Sequence, residues 1–355
     1  MKYASGNQTA RSRAPLRLGL AGGGTDVSPY CDQFGGAVLN VTIDLYANTT
    51  VTESTDGKIW FIAPDQEITE VFELSPNIGV DSRLSLHRGV YNRMVHDFGG
   101  GEPMAVTITT YCDAPAGSGL GTSSTVVVAL VQAMAEYMNV PLGEYDVAHL
   151  AYEIERIDLG LHGGKQDQYA AAFGGFNFME FRDTNDVLVN PLRVKEWIAS
   201  EFESSLILFF TGRSRSSAAI IEEESRNVRE SNMDAIEAMH QSKVEAYRMK
   251  EALLRGELGR VGDVMRSAWI AKKRMASSIT NPMIDGLYSL ALKEGAYCGK
   301  VSGAGGGGFM MFLADPSRRR QVIDALNLNA QGEGKVMPCH FTYTGVQSWK
   351  VKETA

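Results

Sequence analysis

The sequence predicts an α+β fold built from two domains, and three observations carry that prediction. Strand-forming runs rich in Val, Ile, Thr and Tyr crowd the first third of the chain. The helical stripes that follow come in groups instead of alternating one by one with strands, which argues against a doubly wound parallel sheet. The chain has 355 residues, more than one hydrophobic core usually serves.

Taken in order, AVLNVTIDLYANTTVTES (Ala37 to Ser54) reads as a strand. GKIWFIA (Gly57 to Ala63) follows a turn-like stretch and is expected to pair with it. MAVTITTYCDAP (Met104 to Pro115) puts Val106, Ile108 and Thr110 on one face, the period of a half-buried strand. STVVVALVQAMAEYM spaces Val126, Leu130, Met134 and Met138 four apart, a helical stripe in which packing overrides the β-branched valines. In Tyr145 to Ile157, the 3-4 spacing of Val147, Leu150, Ala151, Ile154 and Ile157 predicts a helix. Both isoleucines should then face the core, with Glu155 rotated away from it. Ser204 to Gly212 reads as a buried strand and Ser217 to Arg255 as helix with a break. Leu258 to Ser278 and Pro282 to Glu294 read as two more helices; Gly308 to Ala314 and Cys339 to Trp349 as strands. The domain boundary is expected between residues 185 and 203, dividing the chain into 1–190 and 191–355.

Composition narrows the function. Hydrophobic residues make up 44% and charged residues 21%, with a net charge of −8. That balance lacks the basic stripe of a nucleic-acid binder, but leaves room for an anionic small molecule at a locally positive site. Cys31, Cys112, Cys298 and Cys339 form no C-x-x-C pair and have no histidine cluster beside them. Zinc and disulfide frameworks are therefore not expected. The N-terminal residues lack a signal-peptide core and no run approaches the ~20 apolar residues of a membrane span. The expectation is a cytoplasmic protein with neither nucleic acid nor membrane as partner.

Four segments carry candidate chemistry. DAPAGSGLGTSST (Asp113 to Thr125) sets Gly117, Gly119 and Gly121 among Ser118, Thr122, Ser123 and Ser124, between a strand and a helix. Bare backbone at a helix mouth presents unpaired N–H groups at the positive end of the helix dipole, which suits phosphate. A hydroxyl there can also ligate Mg²⁺. The segment is neither a G-x-x-x-x-G-K-[ST] loop nor a G-x-G-x-x-G turn. In RAPLRLGLAGGGTDVSPY (Arg13 to Tyr30), Gly22 to Gly24 precede Thr25 and Asp26; Asp26 is either an acceptor for sugar hydroxyls or part of an Asx turn. KVSGAGGGGFM (Lys300 to Met310) runs four glycines into a strand, read as close backbone approach to a ligand. YEIERIDLGLHGGKQDQYAAAFGG (Tyr152 to Gly175) carries Glu155, Lys165 and Asp167. One carboxylate is suited to hold Mg²⁺ and the other to accept a proton, against a solvated helix face and a helix cap as the plain alternatives.

Together the four segments resemble the GHMP small-molecule kinases, from Arg13 to about Ala314 and in the family's order, with the sugar branch most similar. The resemblance implies an N-terminal domain like the second domain of ribosomal protein S5, and a ferredoxin-like C-terminal domain. It implies ATP and Mg²⁺. Pro115, Gly117, Ser118, Gly119, Leu120, Gly121, Thr122, Ser123 and Ser124 would line the triphosphate, Ser123 and Glu155 would hold the metal, and Asp167 would be the catalytic aspartate. Between Glu155 and Asp167 the chain carries one residue more than mevalonate kinase does. Arg17 stands where several relatives carry a catalytic lysine, and can stabilise charge but not shuttle a proton. With Lys165 it completes the expected catalytic set. Gly23, Gly24, Thr25, Asp26, Gly303, Gly305 and Gly306 would face the sugar.

The expected reaction is ATP-dependent phosphorylation of an anomeric hydroxyl. Arg213 and Arg215 sit in a serine-rich turn after a strand, which suits either a second phosphate or a surface ion-pair patch with the glutamates at 222 to 224. Arg215, with Lys165, Arg17, Lys300 and His162 as further cations, favours a heptose 7-phosphate over a neutral sugar such as fucose. A fucokinase and a non-catalytic sugar and nucleotide sensor are the alternatives. A homodimer is compatible with this reading.

Overall fold

The computed structural model describes residues 8–182, 186–213, 217–330 and 332–352. Two sheets organise them. The first contains β1 (Gln8–Ala21), β2 (Gly36–Glu53), β3 (Ile59–Ala63), β4 (Ile68–Phe72), β5 (Val106–Cys112), β6 (Phe176–Phe181) and β7 (Val187–Pro191). Interleaved with these are helices α1 (Tyr30–Phe34), α2 (Ser85–Phe98), α3 (Thr122–Met138), α4 (Glu144–Glu153) and α5 (Gln166–Phe173). The second sheet contains β8 (Leu206–Phe210), β9 (Ala296–Val301), β10 (Phe309–Ala314) and β11 (Lys335–Met337). Around it lie α6 (Glu196–Ser205), α7 (Ser217–Arg229), α8 (Met233–Arg255), α9 (Leu258–Met275), α10 (Pro282–Lys293) and α11 (Arg319–Leu328). The last strand, β12 (Gln347–Lys352), returns to the first sheet and pairs antiparallel with β1. Residue 190 thus lies in the strand before the chain crosses to the second sheet, while the end of 191–355 belongs to the first.

The long β2 serves two neighbours besides β1. Its first half pairs with β6 and its second with β5. β3 does not pair with β2 as expected. It lies parallel to β5 and antiparallel to β4, because β5 already occupies the edge of β2 that β3 would need. The expected strand from Cys339 to Trp349 is mostly irregular; only its end joins β12, and Phe341 makes an isolated bridge to Ile43.

Strand period decides which residues of β1 reach the site. Alternate side chains point to opposite faces. Leu16, Leu18 and Leu20 enter a core shared with Phe202, Leu208, Met249, Met265 and Met311. Arg17 and Gly19, on the other face, line a cavity. A second core packs α2, α3, α4 and α5 against β2, β3 and β5, through residues such as Val51, Ile108, Val128, Leu130 and Ile154. The wall of the cavity supplied by α3 and α5 is therefore anchored in one core, and its floor on β1 in the other.

Candidate active site

The cavity has a volume of about 380 Å³ and gathers all four sequence motifs. From the loop before α3 come Gly117, Gly119 and Gly121, with Thr122, Ser123 and Ser124 of its first turn. Gly121 caps the helix in the left-handed conformation (φ 77°), and no side chain caps the N-terminus. The Thr125 N–H donates back to the Gly121 carbonyl at 2.9 Å. The N–H groups before it are left for a ligand, at the positive end of a 17-residue helix. Not every residue expected to touch ATP faces the cavity. Leu120 is buried in the core, and its carbonyl accepts the Arg17 N–H at 3.2 Å. Ser118 is fully buried and its carbonyl accepts the Phe309 N–H at 2.8 Å. Pro115 is exposed at the outer rim.

Asp167 stands in the first turn of α5, and its carboxylate closes on this loop. A Cβ added at Gly121 would lie 3.1 Å from Asp167 Cγ, so only glycine leaves the carboxylate its place. Arg17 fixes the other side. Its Nε and Nη2 both donate to Asp167 Oδ1, at 2.7 and 2.6 Å, while Nη1 donates to the Gly119 carbonyl at 2.7 Å. Arg17 is nearly buried, so this ion pair is strong and rigid. Oδ1 carries the guanidinium, and Oδ2 remains available to an acceptor hydroxyl.

The sequence expectation for Glu155 was inverted. Ile157 is 66% exposed, while Glu155 is buried to 1% and lines the cavity. The cause is local. After α4 the chain widens into a π-helical turn over Ile154–Asp158, with the Leu159 N–H reaching the Ile154 carbonyl at 3.0 Å. Such a turn holds one residue more than an α turn and shifts the phase of everything after it. Glu155 Oε2 accepts from Gln168 Nε2 at 2.6 Å, and that same amide nitrogen reaches Ser124 Oγ at 3.1 Å. Arg156 adds a donor to Ser124 at 3.3 Å and lies 3.5 Å from Glu155 Oε1. Gln168 Oε1 is buried beside them without a partner.

Other expectations need correction. Asp26 borders the cavity, but it is buried and its carboxylate is engaged. Oδ2 accepts the backbone N–H groups of Lys165 and Gln166 at 3.0 and 3.1 Å, and Oδ1 those of Gly24 and the Gln166 side chain at 3.3 and 3.0 Å. It caps α5, the stabilising place for an anion. Thr25 is buried and bonds to the carbonyls of Gly22 and Ala37 at 2.8 and 3.0 Å, bracing the turn against β2. Lys165 is absent from the cavity wall: its ammonium lies 3.8 Å from Asp32 and over the Tyr152 ring. Gly23 and Gly24 do line the cavity, as does Gly303. Gly305 and Gly306 pack against Ile279, whose carbonyl accepts the Gly306 N–H at 2.8 Å. Arg215 lies outside the described residues.

Three further residues complete the cavity floor. Lys300 is only a loose candidate in the sequence, Lys272 carries no signal there, and Glu224, read as part of a surface ion-pair patch, is buried instead. Lys272 Nζ pairs with Glu224 Oε1 at 2.6 Å, both nearly buried. Burial pushes the Glu224 carboxyl up, opposed by Lys272. Lys300 Nζ donates to the Gly19 carbonyl at 2.5 Å. Burial, with Lys272 and Arg17 nearby, pulls its pKa down to about 7. No cluster of three His, Cys, Asp or Glu able to hold a metal occurs among the described residues. No helix described is long and apolar enough to cross a membrane.

With this geometry in place, comparison with known proteins assigns the lineage. The GHMP kinases N terminal domain matches residues 85–175 and the GHMP kinases C terminal domain residues 249–331. Over 344 residues the chain is 47% identical to a D-glycero-alpha-D-manno-heptose 7-phosphate kinase of Campylobacter jejuni, covering 97% of this chain and 100% of that protein. The chain belongs to the GHMP kinases. A crystal structure of a D-glycero-D-manno-heptose 1-phosphate kinase from Bacteriodes thetaiotaomicron superposes with a TM-score of 0.82 at 46% identity, over 97% of this chain and 100% of that one. A galactokinase of Lactococcus lactis complexed with galactose shares the fold, with a TM-score of 0.75 at 16% identity over 96% of this chain and 95% of that one. The mixed two-sheet architecture is thus that of a GHMP kinase, and as a GHMP kinase the chain uses ATP.

Proposed function

We propose that this GHMP kinase transfers the γ-phosphoryl group of ATP to the anomeric hydroxyl of D-glycero-D-manno-heptose 7-phosphate, giving the 1,7-bisphosphate. One observation carries the chemistry: the Asp167 carboxylate is locked by Arg17 against the loop that opens α3, within one cavity. The substrate assignment follows the heptose phosphate kinases that match nearly the whole chain. We take residues 1–190 and 191–355 as the two domains, with β12 returning to the first. A fucokinase is the second reading: the chain is 26% identical to an L-fucokinase/L-fucose-1-P guanylyltransferase of Bacteroides fragilis, over 91% of this chain and 36% of that protein.

The mechanism asks more for placement than for covalent chemistry. The free N–H groups of α3's first turn receive the nucleotide phosphates. Asp167 Oδ2 accepts the hydrogen bond of the anomeric hydroxyl and takes its proton as the oxygen attacks phosphorus. An anomeric hydroxyl is more acidic than an ordinary alcohol, and a loose transition state requires little proton transfer before the P–O bond breaks. Arg17 holds Asp167 in its attacking position and offsets the negative charge that gathers nearby. Glu155 and Ser123, which line the same cavity, carry oxygen donors of the kind Mg²⁺ takes and would hold it. Mg²⁺ held there would offset negative charge on the nucleotide phosphates.

Coupled ADP release across heptose 7-phosphate, fucose, galactose and mannose tests the assignment. Turnover with the heptose phosphate should dominate, and dominance of a neutral sugar would overturn it. ADP release with none of the sugars, with nucleotide still bound, would favour the sensor. Asp167→Asn should lower kcat about 10²–10⁴-fold with ATP affinity nearly unchanged. Wild-type turnover in that variant would remove Asp167 from the chemistry.

A further inference from the structure

Three cations stand along the floor of the cavity, and they differ in what neutralises them. Arg17 is bound to Asp167, and Lys272 to Glu224. Among the described residues, Lys300 alone of these three has no carboxylate. Its ammonium has there a single hydrogen-bond partner, the Gly19 carbonyl, although it is as buried as the others. A carbonyl offsets only part of a buried charge, and burying a charge without a counter-ion is expensive. Two remedies exist: the amine loses its proton, or an anion arrives.

We propose that Lys300 binds the phosphate that the sugar substrate already carries, drawing a proton from solvent as that phosphate enters. The proposal deepens the heptose phosphate reading and rests on it for the identity of the ligand. Position favours the substrate's phosphate over the nucleotide's. The nucleotide phosphates have the α3 N-terminus and its glycine loop. Lys300 lies on β9, reaches across to Gly19 of β1, and feels Lys272 more strongly than Arg17. Lys272 in turn abuts Gly24: its Nζ would lie 3.2 Å from a Cβ placed there. That is the end of β1 leading into the Gly22 to Asp26 turn.

The surrounding charges define the linkage. β1 presents Arg17, with Asp167 of α5 on its far side. α9 presents Lys272, backed by Glu224 of α7. Asp26 is nearby, but its oxygens are committed to the start of α5. β10, which flanks β9, has no titratable side chain, and Asp285 of α10 is taken up by Thr280 and Lys273. Burial first, and then the Lys272 and Arg17 cations, draws the Lys300 pKa down to about 7, so Lys300 is substantially neutral at pH 8 in the empty site. A phosphate dianion supplies the counter-charge that restores the ammonium.

Calorimetric titrations of the full-length enzyme at pH 8, in buffers of differing ionisation enthalpy, count the protons taken up. Heptose 7-phosphate and inorganic phosphate are the phosphate probes, with a non-hydrolysable ATP analogue as the nucleotide arm. Wild type should take up about 0.9 proton more than Lys300→Met on binding the sugar phosphate. Lys300→Arg, permanently charged, should bind the sugar phosphate without the uptake, and its activity shows that the fold tolerates change at this position. In wild type the KM for the sugar phosphate should rise up to about tenfold per pH unit above 7, while Lys300→Arg flattens that profile. Lys300→Met should raise the same KM about 10–100-fold and leave the KM for ATP within about twofold. A purely structural lysine would move both constants together and leave the proton count unchanged. No uptake in wild type, uptake surviving in Lys300→Met, or equal uptake with the nucleotide analogue would each overturn the assignment. Should heptose 7-phosphate fail to bind while inorganic phosphate still draws a proton through Lys300, the substrate reading falls and Lys300 stands.

Discussion

Two glycine-rich loops meet in this protein, and they use their glycines for opposite purposes. The loop of residues 117–121 opens towards the cavity: Gly121 yields its Cβ space to the Asp167 carboxylate, and the helix after it leaves N–H groups unpaired. The loop of residues 303–308 turns its glycines largely on the protein itself. A Cβ at Gly303 would lie 2.7 Å from the Gly119 carbonyl, at Gly305 2.6 Å from the Ile279 carbonyl, and at Gly308 2.2 Å from the Ser118 carbonyl. The second loop is a seam that holds the first in place. Glycine clusters announce close approach, but they do not say whether a ligand or a neighbouring backbone makes it.

The sharpest way to break this comparison is a pair of alanines. Gly121→Ala crowds Asp167 at a positive φ and should cut kcat by about 10²-fold or more, with only a modest loss of stability. Gly305→Ala meets backbone at a φ of 116° and should cost about 1–3 kcal/mol of stability, with kcat per folded molecule little changed. Steady-state kinetics beside denaturant unfolding separates the two, and equal kinetic losses would erase the distinction. A smaller effect sits at the foot of the second loop. Lys300 releases its proton in the folded state near pH 7 but near its ordinary value when unfolded, so the unfolded chain holds more protons between those limits. Stability should therefore rise with pH above 7, by up to about 1 kcal/mol per unit. The difference in unfolding free energy between wild type and Lys300→Met, followed from pH 7 to 9, reads this directly, and a flat difference contradicts it. Smallest of all, Ser118→Ala removes a buried hydroxyl without a partner. It should change stability by less than about 1 kcal/mol and leave the KM for ATP unaltered, whereas a weakened ATP KM would return Ser118 to the ligand.

The legible part of the site was what short-range pattern encodes. A strand, a glycine loop and a helix mark the α3 N-terminus, and Asp167 lies on a turn bracketed by Gly163, Gly164 and Gly174. The paired helices 217–255 and the strand at Gly308 to Ala314 were legible for the same reason. Glu155 was misplaced because helical phase was extrapolated through a π turn that the residue types do not announce. Lys272 was invisible: it sits in a run with Lys273 and Arg274 that reads as a solvated face, and only the packing of α9 against α7 supplies its buried partner. Asp26 lines the cavity, and the motif does not announce that its oxygens also hold the start of α5.

The engagement of Asp26 has a consequence for anyone wishing to retarget this enzyme. The turn expected to choose the sugar also clamps Lys165 and Gln166 at the start of α5, the two residues just before Asp167. Grafting a different turn between Gly22 and Asp26 would release the N–H groups that Asp26 holds and shift Asp167 with them, so on the proposed mechanism selectivity and rate would move together.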